Sequence, residues 1–402
     1  MADWIDAHAE EAIALVEETV NISSGTMDLE GVREVGRVLR QELDELGLKT
    51  QWIDLPPDMQ RAGHLVARQE GSDGPKFLLI GHLDTVFETE GAPFERQGNV
   101  ATGAGVSDMK GGNVVILYAL KALAQIGALD DLSVAVFYSG DEEKPGEPLA
   151  VTRGPLIELG KWADVALGFE GASYEDGVDY ATIARRSSSD WRLEVTGRQA
   201  HSSQVFSEDV GAGAIFEAAR ILDDFYDNVR GEEYLTFNAG TILGGTLVEY
   251  DYEQNRGTAF GKTNVVPRRA IVHGGIRTIS NEQLERAREA MRKVVAQHLP
   301  HTGATITFED GYPAMAPTEG NIRLQEKLSD INEALGRGAM PAFDPSKRGA
   351  ADISFVAPYT DALAGMGPIG SGSHTPDETL QLDSLALAAK RAAILIYRLS
   401  GD

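Results

Sequence analysis

Three short apolar runs each end abruptly in acidic or imidazole side chains, and this pattern constrains the chain more than any other feature. Phe77-Leu78-Leu79-Ile80 leads into Gly81-His82-Leu83-Asp84. Val134-Ala135-Val136-Phe137 leads into Tyr138-Ser139-Gly140-Asp141-Glu142-Glu143, and Val165-Ala166-Leu167 into Gly168-Phe169-Glu170. Such runs read as buried strands at 77–81, 133–139 and 164–168, beside further β-rich runs at 48–54 and 64–68. Helical spacing fills the gaps at 3–20, 109–125 and 152–160. Another helix follows Asp28, a candidate cap, with Val32, Val35, Val38, Leu39, Leu43 and Leu46 on one stripe and Gly47 at its end. Buried strands alternating with helices specify an α/β fold. In open α/β sheets, ligands bind beyond the carboxyl ends of the strands, where these polar residues fall.

The middle of the chain changes character. Strands are expected at 190–196, 236–243, 269–278 and 304–309, with helices at 210–229 and 281–299. That order is β-α-β-β-α-β, the ferredoxin-like pattern. After it the α/β pattern resumes with a helix at 320–335, a strand near 351–356 and a helix at 381–399. The expected organisation is one α/β domain built from 1–187 and 311–402, with 188–310 inserted. Two domains also suit a length of 402 residues.

Charge and cysteine content narrow the chemistry. The net charge of −26 argues against broad contact with nucleic acid or an anionic membrane. Without cysteine there is no disulfide, no thiolate nucleophile and no Cys-ligated zinc. No apolar run approaches the ~18 residues of a membrane span. The start, Met1-Ala2-Asp3-Trp4, lacks the basic and apolar regions of a signal peptide, which leaves cytoplasm and periplasm both open.

Two glycine-rich segments complete the candidate chemistry. Gly103-Ala104-Gly105-Val106-Ser107-Asp108-Met109-Lys110-Gly111-Gly112 leads into a helix, and Gly370-Ser371-Gly372-Ser373-His374-Thr375-Pro376-Asp377-Glu378 presents a histidine. Singly, each segment has an ordinary reading: Asp108 as a helix cap, Asp141-Glu142-Glu143 as an acidic loop, His82-Leu83-Asp84 as a solvated pair. Jointly they gather two imidazoles and several carboxylates on one sheet edge. An oxygen and nitrogen donor set without sulfur suits zinc, manganese or cobalt, with zinc the default. A P-loop is excluded because Gly257-Thr258-Ala259-Phe260-Gly261-Lys262-Thr263 is one residue short, and no Gly-x-Ser-x-Gly elbow is present.

With Gly81-His82-Leu83-Asp84-Thr85-Val86, Ser107-Asp108-Met109-Lys110-Gly111-Gly112, Asp141-Glu142-Glu143 and His374 in this order, the chain resembles the M20 metallopeptidases nearly end to end. That family includes glutamate carboxypeptidases, aminoacylases and desuccinylases. The resemblance implies a zinc-exopeptidase-like mixed sheet flanked by helices, with the ferredoxin-like insert as lid and dimerisation domain. It implies two zinc ions per chain, one held by His82 and Glu170, the other by Glu143 and His374, with Asp108 between them and the Asp108–Met109 peptide cis. Asp84 would orient His82, and Glu142 would be the general base. His201 would stabilise the oxyanion, while Asn264 and Arg277 would bind substrate, Arg277 through a free carboxylate. The implied substrate is a small peptide or an N-acyl amino acid, and the implied assembly a homodimer.

Two departures bear on specificity. Thr102-Gly103-Ala104-Gly105-Val106 lacks the basic residue common before the Asp108 position. Tyr312 precedes Pro313 where glutamate-type carboxypeptidases tend to carry a basic residue. A non-catalytic binding protein on the same fold would be expected to have lost Glu142 or a ligand, and none is missing.

Overall fold

The computed structural model describes residues 1–71, 74–89, 91–252 and 254–401. It divides into two compact units. One comprises Met1–Ala184, Met315–Lys347 and Ala351–Asp402, the other Arg185–Ala314 and Arg348–Ala350.

The first unit is built on a six-stranded sheet in the order Lys49–Ile53, His64–Gln69, Ser133–Ser139, Lys76–His82, Val165–Gly168, Asp361–Leu363. The last four strands are parallel, and His64–Gln69 runs against both of its neighbours. Register aligns the strand ends: His82 lies opposite Ser139, and Ile80 opposite Gly168. The residues just beyond those ends therefore emerge together at one edge of the sheet.

Local signals explain the flanking helices. Asp28 caps Leu29–Glu45, its carboxylate accepting from the Gly31 N–H at 3.0 Å. Val32, Val35, Val38, Leu39 and Leu43 of that helix are buried. Gly111–Gln125 is buried on nearly every face, as expected of a helix wedged between the sheet and Leu382–Ser400. Its start lies so close to the strand ends that a Cβ on Gly112 would sit 2.0 Å from the Phe169 carbonyl oxygen.

Two expectations are corrected in this unit. The helix anticipated over 3–20 is two, Ala2–Ala7 and Ala9–Val20. His8 breaks it, leaving helical angles and stacking its ring on Trp4 at 4.0 Å. The strand anticipated near 351–356 is a tight turn, Asp352–Phe355, and the edge strand comes later at Asp361–Leu363. A short buried apolar run does not distinguish strand from turn by periodicity alone, and Asp352 is drawn inward by Arg153 at 2.7 Å.

The second unit carries a four-stranded antiparallel sheet in the order Thr236–Gly245, Arg269–Arg277, Ser188–Gly197, Thr302–Tyr312. Helices Ala214–Asn228 and Asn281–Val295 contribute to its core, where Ile221, Phe225 and Met291 meet Trp191, Leu193 and Val272. Strand order and connections are those of a β-α-β-β-α-β unit. A hairpin of Leu247–Asp251 and Arg256–Phe260 was not anticipated: Val248 and Tyr250 alternate with acids, but Arg256–Phe260 is exposed throughout and carries no alternation. Among the described residues no helix is long and apolar enough to cross a membrane.

The close approach at Gly112 is testable. Gly112→Ala is expected to cost about 1–3 kcal/mol of overpacking and to lower the thermal midpoint by several degrees. Gly154→Ala, whose Cβ would meet nothing within 4 Å, is expected to leave the midpoint in place. Equal midpoints for the two variants would show that the helix start is not tightly seated.

Candidate active site

The aligned strand ends bring His82, Glu142, Glu143 and Glu170 to one place, and two loops add Asp108 and His374. His82 is fully enclosed at the end of its strand. Its Nε2 lies 3.2 Å from Asp108 Oδ1 and 3.7 Å from Glu170 Oε1. His374 Nε2 lies 3.2 Å from Asp108 Oδ2 and 3.1 Å from Glu143 Oε2. The two oxygens of Asp108 thus face two different histidines, each paired with its own glutamate. Two groups have ligand atoms close enough to share an ion: His82 with Asp108 and Glu143, and His82 with Glu142 and Glu170.

Asp108 reaches this position through an irregular segment rather than a helix cap. Residues 106–110 depart from helical angles at Asp108 and Met109, and the peptide between them is cis. Glu378 holds the segment from below. Its buried carboxylate accepts the backbone N–H groups of Gly105, Ser107 and Asp108 at 2.8–2.9 Å, and the Ser107 hydroxyl at 2.9 Å. The sequence reading included Glu378 in the His374 loop but gave it no task.

Asp84 does more than the sequence implied. The ring Nδ1 of His82 is nearer the Asp84 backbone carbonyl (3.0 Å) than its carboxylate (3.5 Å). The carboxylate instead accepts the N–H groups of Glu142 and Glu143 at 3.0 and 3.1 Å and the Thr26 hydroxyl at 2.7 Å. Asp84 therefore aims the two glutamates as well as backing the histidine. Such partners behind metal-ligand side chains fix their orientation.

Asp141 turns away from its two acidic neighbours. It is wholly buried against Arg153 at 2.5 Å, and Arg153 also holds Asp352 at 2.7 Å. Nothing in the spacing of Asp141, Arg153 and Asp352 announces this network, because the partners come from separate parts of the chain.

Electrostatics follow from crowding. Burial pushes the Glu142 carboxyl well above the usual range, and the negative charge of Glu170 adds to this. Burial also raises Asp108, but His374 and His82 outweigh it and hold Asp108 well below the ordinary value. Burial opposes the charged form of His82, yet Asp108 and Asp84 more than compensate and raise it. Asp108 and Glu143 hold His374 up to about 10. Meanwhile Glu143 Oε1 is buried without a hydrogen-bond partner among the described residues. A buried orphan carboxylate oxygen beside five other oxygen and nitrogen donors fits a divalent cation.

The remaining sequence candidates lie in the second unit. His201 is exposed, with Nδ1 on the Ser203 hydroxyl at 2.9 Å. Asn264 is adjacent to it: the Ser202 N–H donates to the Asn264 carbonyl at 2.9 Å, and Val265 bridges to His201. Arg277 closes the strand Arg269–Arg277 and is exposed.

Known proteins share these features. The sequence pattern of peptidase family M20/M25/M40 matches residues 78–398, which spans all six clustered residues. The chain belongs to this family. Membership makes it a metal-dependent hydrolase of amide or peptide bonds. It is 27% identical to carboxypeptidase G2 of Pseudomonas sp. (strain RS-16), over 96% of this chain and 89% of that protein. It is also 27% identical to succinyl-diaminopimelate desuccinylase of Gluconacetobacter diazotrophicus, over 97% of each. The fold matches the crystal structure of aminopeptidase PepT from Bacillus cereus with a TM-score of 0.76 at 18% identity, covering 97% of this chain and 98% of that one.

The raised His374 gives the ion-free M20 chain a pH signature. Unfolded, histidine titrates near ~6.5. Folded, His374 keeps its proton to about 10. Between those values the folded chain binds a proton that the unfolded chain has lost. The contribution is therefore complete below about pH 6.5 and disappears as pH rises through about 10. The thermal midpoint of chelator-treated protein is expected to fall with rising pH across this window, more steeply than that of His374→Gln. Parallel slopes for the two proteins would remove the pairing from the stability of the ion-free fold.

Proposed function

We propose that this M20 chain hydrolyses an amide or peptide bond beside a free α-carboxylate, using two divalent ions, zinc by default. The observation that carries the reading is Asp108, whose two oxygens face two separate His–Glu pairs. His82 and Glu170 would hold one ion and His374 and Glu143 the other, with Asp108 available to both. Bound there, the ions would supply Lewis acidity to the scissile carbonyl and make water easier to deprotonate.

The chain's own residues do the rest. Glu142 takes a proton from the attacking water and gives it to the leaving nitrogen. In the ion-free chain burial and the charge of Glu170 favour its protonated form, and an ion held by Glu170 would offset that charge and leave Glu142 ionised to act as base. Asp84 steadies Glu142 and Glu143 through their backbone N–H groups. From the inserted domain, residues 188–310, His201 steadies the developing oxyanion, Asn264 assists binding, and Arg277 grips the substrate carboxylate as a bidentate fork. A homodimer formed through that insert belongs to the same reading and is checked by sedimentation.

The similarity to a desuccinylase favours a second reading, removal of an acyl group from an N-acyl amino acid. Both readings use the same chemistry and differ only in the acyl side of the bond. Amine release from a mixed panel of dipeptides and N-acyl amino acids, before and after chelation, separates them. Chelator-sensitive cleavage restored by zinc and confined to free-carboxylate substrates is expected. Cleavage that survives chelation, or that ignores amidation of the carboxylate, would overturn the proposal.

Two variants test the assignments individually. Glu142→Gln is expected to lower turnover by about 10²–10⁴-fold while keeping both ions. Asp108→Ala is expected to lose both ions, read by elemental analysis after dialysis. A Glu142→Gln enzyme with most of its activity, or an Asp108→Ala chain still holding two ions, would refute the corresponding role.

A further inference from the structure

A second cavity of about 380 Å³ opens in the first unit, and none of the clustered histidines or carboxylates lines it. Its walls come from the end of helix Ala9–Val20, the segment through Ser24, the loop after Thr85, and Lys110. Three of its features are unusual together. Lys110 is 1% exposed, and among the described residues its ammonium donates only to the Ile22 carbonyl, at 2.8 Å. Two of its three donors are therefore unmatched. Ser24 is also 1% exposed, and its hydroxyl has no hydrogen-bond partner among the described residues. No acidic side chain is among the described residues that line the space.

The polar groups are biased toward donation. The Asn21 side-chain oxygen is already taken by the Phe94 N–H at 3.0 Å, which leaves its amide donors. Thr85 adds a hydroxyl, and Phe87 and Pro93 supply apolar wall. A buried amine and hydroxyl lacking partners carry a desolvation cost that a suitable acceptor would remove. Among the described residues the lining offers an amine and other donors and no acid, which in a chain of net charge −26 favours an acceptor such as an anion. Its volume lies in the range of small-molecule sites, about 300–1,000 Å³.

We propose that this cavity is a binding site for a small organic carboxylate, with its charged end on Lys110 and Ser24 and a short apolar or aromatic body against Phe87 and Pro93. Burial pushes the Lys110 amine down to about 7, and Glu378 lies close enough to act on its charge in the opposite sense without pairing with it directly. The amine therefore keeps its free donors for a ligand. The site is also wired to the cluster: the Thr85 N–H donates to the Ser24 carbonyl at 2.9 Å, and Thr26 joins the same stretch to the Asp84 carboxylate. The proposal does not rest on the hydrolytic reading, because it requires only these residues.

The test uses 4-fluorobenzoate as probe, observed by fluorine NMR on the ion-loaded protein. Saturable single-site binding is expected, and the neutral isostere 4-fluorobenzamide is expected not to bind. Lys110→Gln should weaken binding roughly tenfold or more, the loss of a charge-assisted hydrogen bond. Ser24→Ala should weaken it several-fold while leaving the thermal midpoint unchanged, since that hydroxyl has no partner to lose. His374→Ala and Arg277→Ala, which alter the other candidate carboxylate sites, should leave binding intact. Binding lost in His374→Ala or Arg277→Ala but kept in Ser24→Ala would place the probe elsewhere and overturn the proposal. Absence of saturation in the wild type at millimolar probe, or equal binding of the amide, would overturn it as well.

Discussion

Everything in the first unit answers to one electrostatic problem: too many carboxylates in one enclosed place. Asp108, Glu142, Glu143 and Glu170 converge on two imidazoles, and burial raises the cost of each negative charge. Two protonated histidines relieve part of it, which is why both are held above their ordinary range. A pair of divalent cations relieves it more completely and returns the histidines to the neutral form that ligates metal. An acidic cluster of this kind is expensive to maintain as decoration and comprehensible as a receptacle.

The scaffold around the cluster is organised to keep those charges where they are. Two further carboxylates, Asp84 and Glu378, accept backbone N–H groups on the segments that carry the cluster. A third, Asp141, is neutralised by Arg153 beneath the loop. Buried ion pairs of this sort contribute little net stability but are costly to break by removing one partner. Their effect here is positional: the segments bearing Asp108, Glu142 and Glu143 are each held by hydrogen bonds that they donate to fixed acceptors.

Much of this was legible in the sequence because the chemistry-bearing residues sit at fixed offsets from strand ends. His82 closes its strand, Glu142 and Glu143 follow theirs by three and four residues, and Glu170 follows by two. Parallel pairing then places them side by side. What escaped was whatever depends on partners distant along the chain. Arg153 and Asp352 carry no local signal of each other, so the segment 351–356 read as a strand although a buried ion pair folds it into a turn. The further task of Asp84 escaped for a similar reason. A His-x-Asp spacing says that the two side chains are neighbours, but not that the carboxylate has three better donors nearby. The hairpin of Leu247–Asp251 and Arg256–Phe260 was missed because its second strand, exposed throughout, carries no alternation to read.

The hold of Glu378 on the Asp108 segment also orders events during synthesis. The two are separated by 270 residues, and the interval includes the whole of the second unit. A ribosome-bound chain has made His82, Asp108, Glu142, Glu143 and Glu170 long before it makes either His374 or the carboxylate that fixes the Asp108 backbone. Until those last segments emerge, the acids are crowded without their second imidazole. The N-terminal part of the chain must therefore wait, unfinished, for its own C-terminal end.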